Sequence, residues 1–253
     1  MERLRWLIFL LLFGENEALP TARFYPTKNN NMKITSPTKE FVIVEEMECA
    51  FSCSRETTCL SFSTTKSAGA VTCRFGDAYD ARRTADPGSK FFYKEPVTTG
   101  YTPVPGTSSF LKLVRIDGLT WIEADAKCRL DVGGRLAIPA TTEMLNSMNQ
   151  TMIANLGVDI VCKYFFMDGQ SKTNQYTWSF LDGTSLNITA KGDGNFHPNE
   201  PDSGSGGQCL MMTRQYAVAP FYSGFWVDSS CTSGVVQFGC VSDGYFCEIK
   251  IPN

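Results

Sequence analysis

Cysteine is the residue whose type and spacing first indicate chemistry in this chain. The 253-residue sequence carries ten cysteines in two groups, with none between residues 74 and 127. The groups, each with an even number of members, are Cys49, Cys53, Cys59 and Cys73, and then Cys128, Cys162, Cys209, Cys231, Cys240 and Cys247. An even number lets every thiol pair within its own group. The pattern therefore predicts two disulfide-bonded modules made in an oxidising compartment.

Catalytic chemistry has little support in the sequence. His197 is the only histidine, and no nucleophile motif accompanies it. The cysteines are expected to be oxidised, which removes a thiol nucleophile. Residues 203–207 (SGSGG) resemble a phosphate-binding loop only in glycine content, because no Lys-Ser/Thr pair follows them. We expect no catalytic residues and a non-enzymatic protein.

The N-terminus predicts a secretory signal peptide over residues 1–18. A basic stretch, MERLR, precedes the apolar residues 6–13 and then polar residues. This apolar run is much shorter than the roughly 20 residues of a transmembrane helix. The cleavage site could follow Gly14 or Ala18, and the sequence leaves both positions open. We expect a secreted, extracellular protein without a transmembrane segment, and the sequons at Asn149 and Asn187 predict N-linked glycosylation.

Composition and charge narrow the classes of partner. The chain is 43% hydrophobic and 12% aromatic, as expected for a globular protein, and its net charge of -3 gives no basic field for nucleic acid. Residues 94–108 (KEPVTTGYTPVPGTS) lack an apolar run. We interpret residues 96–106 as a Pro/Thr/Gly-rich linker that holds the two modules apart.

The first module, residues 24–95, is predicted to be a helix on a small sheet. The later part of residues 42–53 has acidic residues near a helix start, and Cys49 and Cys53 are four residues apart on one face. The alternating residues from Cys59 predict a strand, with a hairpin partner over residues 71–75 after a turn at 66–69.

The order of cysteine motifs in this module, ECAxxC, then CxSF, then TCxF, resembles the PAN or apple domain. The resemblance implies that Cys49 pairs with Cys73 and Cys53 with Cys59. It also implies a binding module without catalytic residues, whose ligands range from proteins to carbohydrates.

The second module, residues 107–251, is predicted to contain two helices and aromatic strands. Thr120 and Glu123 have capping-box spacing, so a helix should start there and stop near Gly133. A second helix is expected from Thr141 or Thr142 to about Ile153. Its buried stripe would be Met144, Leu145, Met148 and Met152. Strands are expected at residues 164–167, 176–178 and 245–249, and a long glycine-rich loop at 191–207.

Seven motifs occur in this module in the order of the C-type lectin-like domain: TWIEADAKC, GGRLA, YTWSFLDG, NEPD, QCL, WVDSSC and YFCEI. The module is identified as similar to that α+β fold. The resemblance implies that Cys128 pairs with Cys247 and Cys209 with Cys231, which leaves Cys162 and Cys240 for an extra bridge. Pairing of Cys209 with Cys240 and of Cys162 with Cys231 is also open. Trp178 and Trp226 are expected in the core.

Sugar-binding members of the family hold a calcium ion in the long loop, and the resemblance assigns that role to Glu200, Asp202 and Asp228. Pro201 would form a cis peptide, and the same four residues would bind the ligand. Calcium coordinates six to eight oxygens, so three carboxylates need further ligands. Gly207 and Val227 stand where calcium-binding members place a glutamate and an asparagine.

The resemblance therefore implies weak or absent calcium dependence. The triplet combines the glutamate of the mannose-type motif with the aspartate of the galactose-type motif, so no particular sugar is indicated. We predict a recognition protein that binds glycans or glycoprotein surfaces through the second module, and possible protein partners through the first. The alternative is a calcium-independent module that binds proteins or other surfaces.

Overall fold

The computed structural model describes residues 22–28, 31–156, 163–171, 174–202, 208–214, 224–233 and 242–252. Three sequence predictions lie outside these residues: the signal peptide at 1–18, the glycine-rich segment 203–207, which includes Gly207, and the pairing of Cys162 with Cys240. Among the described residues, no helix combines the length and the apolar character that crossing a membrane would require.

The first module contains a five-stranded antiparallel sheet with strand order β1-β7-β4-β5-β3. Its strands are β1 (Phe24–Pro26), β3 (Lys39–Ile43), β4 (Ser61–Ser67), β5 (Ala70–Gly76) and β7 (Ser89–Lys94). A separate pair is formed by β2 (Met32–Ile34) and β6 (Arg83–Ala85). The β4–β5 hairpin turns at Ala68 and Gly69, which both have positive φ, as two-residue hairpin turns often require.

Two disulfides join helix α1 (Glu46–Arg55) to the rest of the module, one of them to the sheet. Cys49 bonds to Cys73 in β5, and Cys53 bonds to Cys59. These are the pairings that the PAN resemblance implies. All four sulfur-bearing residues are buried with Phe62 and Phe75, so the disulfides form the centre of this small core.

The second module contains a nine-stranded sheet. Its strands are β8 (Thr102–Pro103), β9 (Ser109–Val114), β10 (Arg135–Leu136), β11 (Lys163–Ser171), β12 (Thr177–Ser179), β13 (Ser185–Asn187), β14 (Gln208–Arg214), β15 (Trp226–Ser230) and β16 (Ser242–Lys250). Strands β11 and β16 run parallel, whereas β16 pairs antiparallel with β9 and β14 pairs antiparallel with both β11 and β15.

Two helices pack on this sheet, α2 (Trp121–Leu130) and α3 (Thr142–Leu156). The predicted capping box of α2 is confirmed: the Glu123 amide donates to Thr120 Oγ1 at 3.3 Å, and the Thr120 amide donates to Glu123 Oε2 at 2.9 Å. Of the predicted buried stripe of α3, Met144, Met148 and Met152 are buried, whereas Leu145 is only half-buried and packs against the same core.

The core of the second module is largely aromatic. Trp178 and Trp226 are buried as expected, together with Phe165 and Phe246. Cys128 bonds to Cys247 and Cys209 to Cys231, the pairings that the lectin resemblance implies.

Part of the segment that we interpret as a linker, residues 96–106, belongs to the core of the second module instead. Tyr101 is 8% exposed and Val104 is 2% exposed. The short strand β8 lies between these two residues and pairs with β9. Isolated apolar residues in a Pro/Gly-rich segment are enough to insert it when a neighbouring strand offers an edge. The second half of the predicted linker is therefore part of the second module.

The expectation that the modules are held apart is also wrong. Tyr79 of the first module belongs to the same buried cluster as Tyr101 and Trp121, and Leu60 packs against that cluster. The Tyr79 hydroxyl accepts a hydrogen bond from the Val97 amide at 3.4 Å. Apolar burial across the contact favours docked modules over a spacer geometry.

An ion-pair cluster lies in the same contact. The Arg135 guanidinium is 3.2 Å from Asp80 Oδ2 and 3.5 Å from Glu248 Oε2, and all three side chains are at most 12% exposed. Burial raises the pKa of Asp80 to about 6, although Arg135 acts in the opposite direction. Asp80 is therefore ionised at neutral pH and compensates the buried arginine.

Candidate functional site

The segment that carries Glu200 and Asp202 is held against β15 by aromatic packing and backbone hydrogen bonds. The Phe196 ring lies 5.4 Å from the Trp178 ring and 5.5 Å from the Trp226 ring, measured between centroids. The Trp226 amide donates to the Asn195 carbonyl, and the His197 amide donates to the Trp226 carbonyl, each at 2.9 Å. Residues 195–197 thus run beside β15 and direct the next residues toward Asp228.

Further hydrogen bonds shape the turn that follows. The Gly192 amide donates to the Glu200 carbonyl at 2.8 Å, and the Glu200 amide donates to the His197 carbonyl at 2.8 Å. Lys191 Nζ donates to the Asn199 carbonyl at 3.1 Å. Gly192 has a φ of +78°, and a Cβ there would lie 3.1 Å from the Pro198 backbone, so glycine suits this position. The Glu200-Pro201 peptide is cis, as expected.

Three carboxylates come together at the end of this segment. One carboxylate oxygen from each of Glu200, Asp202 and Asp228 lies within 4.8 Å of the others. Glu200 is 6% exposed and Asp228 only 1%, whereas Asp202 is exposed to solvent. The Asp202 amide donates to Asp228 Oδ1 at 2.9 Å. Two buried acids and one exposed acid therefore form an oxygen-rich site at the protein surface.

The electrostatics of the cluster are unusual for a surface loop. Burial, and then a hydrogen bond with Asp228 and the charges of Asp228 and Asp202, raise the pKa of Glu200 to about 9. Glu200 Oε2 is buried and has no hydrogen-bond partner. Glu200 therefore keeps a proton at neutral pH when no cation is present, and one of its oxygens is available as a ligand.

The second module can now be compared with known families. Residues 117–241 match the family model of the Lectin C-type domain. This segment is a C-type lectin domain. The match begins well after the first module, so the resemblance of residues 24–95 to PAN domains stays a prediction. No curated protein matches the chain.

Solved structures of two carbohydrate-recognition domains and of one antifreeze protein are similar to the chain. The mouse scavenger receptor C-type lectin carbohydrate-recognition domain shares 15% identity over 60% of this chain and 95% of its own, with a TM-score of 0.41. The cow CD23 carbohydrate-recognition domain, solved in the presence of a GlcNAc2Man3 oligosaccharide, shares 18% over 61% and 95%, with a TM-score of 0.41. A calcium-independent type II antifreeze protein shares 20% over 61% and 94%, with a TM-score of 0.40.

C-type lectin domains include both calcium-binding and calcium-independent members, and the donor set of this lectin domain fits a calcium ion in part. Calcium prefers carboxylate and carbonyl oxygens, and the unpartnered Oε2 of Glu200 is such an oxygen. Val227 supplies none, because a valine side chain has no oxygen, and here it lies in the buried cluster with Tyr164 and Met211. With one oxygen from each of the three carboxylates, at least half of a calcium ion's six to eight coordination positions are left to water or a ligand.

The other predicted residues of the lectin domain lie apart from this cluster or serve it indirectly. His197 Nδ1 accepts the Asn199 amide at 3.3 Å and its ring contacts Phe225, while burial lowers its pKa. Those contacts support the turn. Asn187 is exposed at the end of β13, whereas Asn149 is half-buried on α3 and its Oδ1 has no hydrogen-bond partner.

Sequence reasoning missed two residues that position the site, Lys191 and Asn195. Asn195 Nδ2 donates to the Gly224 carbonyl at 2.7 Å and so joins the loop to the start of β15. Neither residue belongs to the quoted motifs. A polar residue that contacts only backbone carbonyls leaves no spacing signal in the sequence.

Proposed function

We propose that this is a secreted, non-enzymatic recognition protein whose C-type lectin domain binds carbohydrate at Glu200, Asp202 and Asp228 with the help of a weakly held calcium ion. The observation that carries the proposal is the convergence of three carboxylates, one of which, Glu200, also has an oxygen without a hydrogen-bond partner. Clustered carboxylates repel each other, and a divalent cation offsets that repulsion.

The three side chains would contribute in different ways. Glu200 and Asp228 are buried and held by the loop and by β15, so they would provide ligand atoms that need little reorganisation. Asp202 is exposed and would face the ligand. Bound calcium would supply open coordination positions that sugar hydroxyls can fill. Pro201 lies between two of these carboxylates and is itself buried, so it would shape the site from within rather than contact the sugar.

Affinity for calcium should be low for two reasons. Three described side chains offer one oxygen each, whereas calcium coordinates six to eight oxygens. Calcium must also displace the proton of Glu200, whose raised pKa of about 9 makes that proton hard to remove at neutral pH.

The raised pKa of Glu200 also favours a second candidate function, calcium-independent binding of a protein or glycoprotein surface. A protonated Glu200 that shares a hydrogen bond with Asp228 satisfies much of the cluster without a metal. In that case the same loop would act as a polar contact surface.

A glycan array probed with and without chelator separates the two candidates. The wild-type chain and Glu200→Gln are compared, with Glu143→Gln, at an exposed position of α3, as the matched control. Loss of binding in chelator and in Glu200→Gln alone supports the calcium-assisted site. Binding that neither chelator nor Glu200→Gln alters supports the calcium-independent surface, because glutamine imitates the protonated acid. An array blank under every condition would overturn carbohydrate binding.

A further inference from the structure

The contact between the two modules brings two buried acids to one arginine. Asp80 comes from the first module, whereas Glu248 and Arg135 belong to the lectin domain. The Arg135 guanidinium lies 3.2 Å from Asp80 Oδ2 and 3.5 Å from Glu248 Oε2, and none of the three side chains is more than 12% exposed. When both acids are ionised, this group carries one negative charge in excess. Like charges repel strongly in a buried contact, so the excess favours uptake of a proton.

Hydrogen bonding indicates which of the two acids takes up that proton. Glu248 accepts hydrogen bonds from the Ser109 hydroxyl at Oε1 and from the Ile138 amide at Oε2, in addition to its contact with Arg135. Among the described residues, the Asp80 side chain accepts a hydrogen bond from Arg135 alone, at 3.5 Å. Hydrogen bonds to a carboxylate stabilise its ionised form. Asp80 is therefore the acid that is more easily protonated.

The charges around Asp80 offset its burial only in part. Burial raises the pKa of Asp80 from its ordinary value of 3.8 to about 6, and the charge of Glu248 acts in the same direction. The groups that lower this pKa are, from the largest effect to the smallest, Arg135 of β10, Lys250 of β16 and Arg83 of β6. Two further acids of the lectin domain, Asp182 and Asp168, also act on Arg135. The positive charge of Arg135 is therefore shared among several acids.

We infer that docking of the first module on the lectin domain is linked to uptake of a proton by Asp80, so that the modules are held together more firmly in mildly acidic than in mildly alkaline solution. Separation of the modules leaves Arg135 and Glu248 with the lectin domain and returns Asp80 to water. The docked state therefore binds a proton that the separated state releases. This linkage makes the relative placement of the two modules depend on pH.

The direction and size of the effect follow from the pKa of Asp80 in the two states. The docked value of about 6 lies above the ordinary value of 3.8, so the contribution of protonated Asp80 to docking is fully present below about pH 3.8 and is lost as the pH rises through about 6. Between pH 5 and pH 8 this linkage weakens docking about tenfold. Docking is not abolished, because the apolar contacts of Leu60 and Tyr79 do not depend on this proton.

Amide hydrogen exchange of the full chain measures docking at the contact itself. The Val97 amide donates to the Tyr79 hydroxyl, and the Tyr79 ring lies in the buried cluster with Tyr101 and Trp121 of the second module. Separation of the modules should release this hydrogen bond. We expect the protection factor of Val97, corrected for the intrinsic pH dependence of exchange, to fall about tenfold from pH 5 to pH 8 in the wild-type chain.

Two variants show whether Asp80 is the group responsible. Asp80→Asn carries no charge at any pH, so its Val97 protection factor should stay nearly constant over the same range. Asp77→Asn is the matched control and should keep the wild-type fall, because Asp77 lies in the same segment but is 52% exposed in its pair with Arg129. A constant protection factor in the wild-type chain, or an equal fall in Asp80→Asn, would overturn the inference.

Carboxyl NMR of the wild-type chain gives a second readout that needs no variant. Titration of carbon-13-labelled aspartate should place the midpoint of Asp80 near pH 6. A midpoint close to the ordinary value of about 3.9 would overturn the inference even if Asp80→Asn does not fold, because docking would then bind no additional proton.

Discussion

The guanidinium of Arg135 lies 3.2 Å from the carboxylate of Asp80, and this ion pair joins the C-type lectin domain to the N-terminal module. Arg135 belongs to β10, which pairs with β16. Asp80 lies in the segment that connects β5 and β6 of the first module. Glu248 of β16 is the second acid beside Arg135, so the contact connects the segment between β5 and β6 of the first module with the sheet of the second.

Replacement of Arg135 by methionine should destabilise the folded chain. The change leaves Asp80 and Glu248 without their counter-charge in a buried contact, and loss of one partner of a buried ion pair costs about 3–5 kcal/mol. Urea denaturation measures the free energy of unfolding. Arg23→Met is the control, since Arg23 forms an exposed pair with Glu95 and should cost less than about 1 kcal/mol. Similar losses in both variants would contradict a buried, stabilising contact.

Replacement of Gly133 by alanine, compared with the same replacement at Gly118, should separate the cost of backbone strain from the cost of crowding Leu60. Gly133 has a φ of +72°, and its Cβ would lie 1.8 Å from Leu60 Cδ1 of the first module. Gly118→Ala is the control, because Gly118 has nearly the same φ, +74°, and no atom within 4 Å of the new Cβ. Overpacking should make Gly133→Ala less stable than Gly118→Ala by about 1–3 kcal/mol.

The partner residue allows a check on that explanation. Leu60→Ala in the Gly133→Ala background removes the crowding atom, so thermal unfolding should show that part of the extra loss is recovered. If Leu60→Ala adds its own destabilisation in full, the two residues do not contact each other in solution.

Local patterns predicted local structure well in this chain, and contacts between distant residues account for what was missed. The Thr120–Glu123 capping box involves residues three apart, and the methionines of α3 repeat with the helical period, so both were readable. The contact of Leu60 with Gly133 joins residues that are distant in the chain. The sequence around Leu60 is the same as that expected for a surface leucine, and the sequence around Gly133 is the same as that expected for a glycine that ends a helix.

In the candidate site, too, local motifs predicted part of the structure and contacts between distant residues determine the rest. The positions of Glu200, Asp202 and Asp228 follow from motifs, and the structure brings them together. The depth of Glu200 does not follow from them, because it depends on Phe196 packing between Trp178 and Trp226. That burial is what raises the pKa of Glu200 and weakens its expected hold on calcium.

The stability of the cation-free protein should depend on the protonation of Glu200. Its folded-state pKa of about 9 lies above the unfolded value near 4.5, so the folded state binds more protons between these values. The contribution of Glu200 to stability is therefore fully present below about pH 4.5 and is lost as the pH rises through about 9. Thermal unfolding in chelator should show a fall in melting temperature over this window that is smaller in Glu200→Gln. Equal pH profiles would contradict a buried, protonated Glu200.

The most direct test of the proposed site is isothermal titration calorimetry of calcium into the wild-type chain, Glu200→Gln and Glu143→Gln. We expect one weak site in the wild-type chain and in Glu143→Gln, an affinity that rises with pH because binding releases the Glu200 proton, and at least tenfold weaker binding in Glu200→Gln. The absence of calcium uptake by the wild-type chain at pH 9, or equal uptake by Glu200→Gln, would contradict a calcium site at Glu200, Asp202 and Asp228.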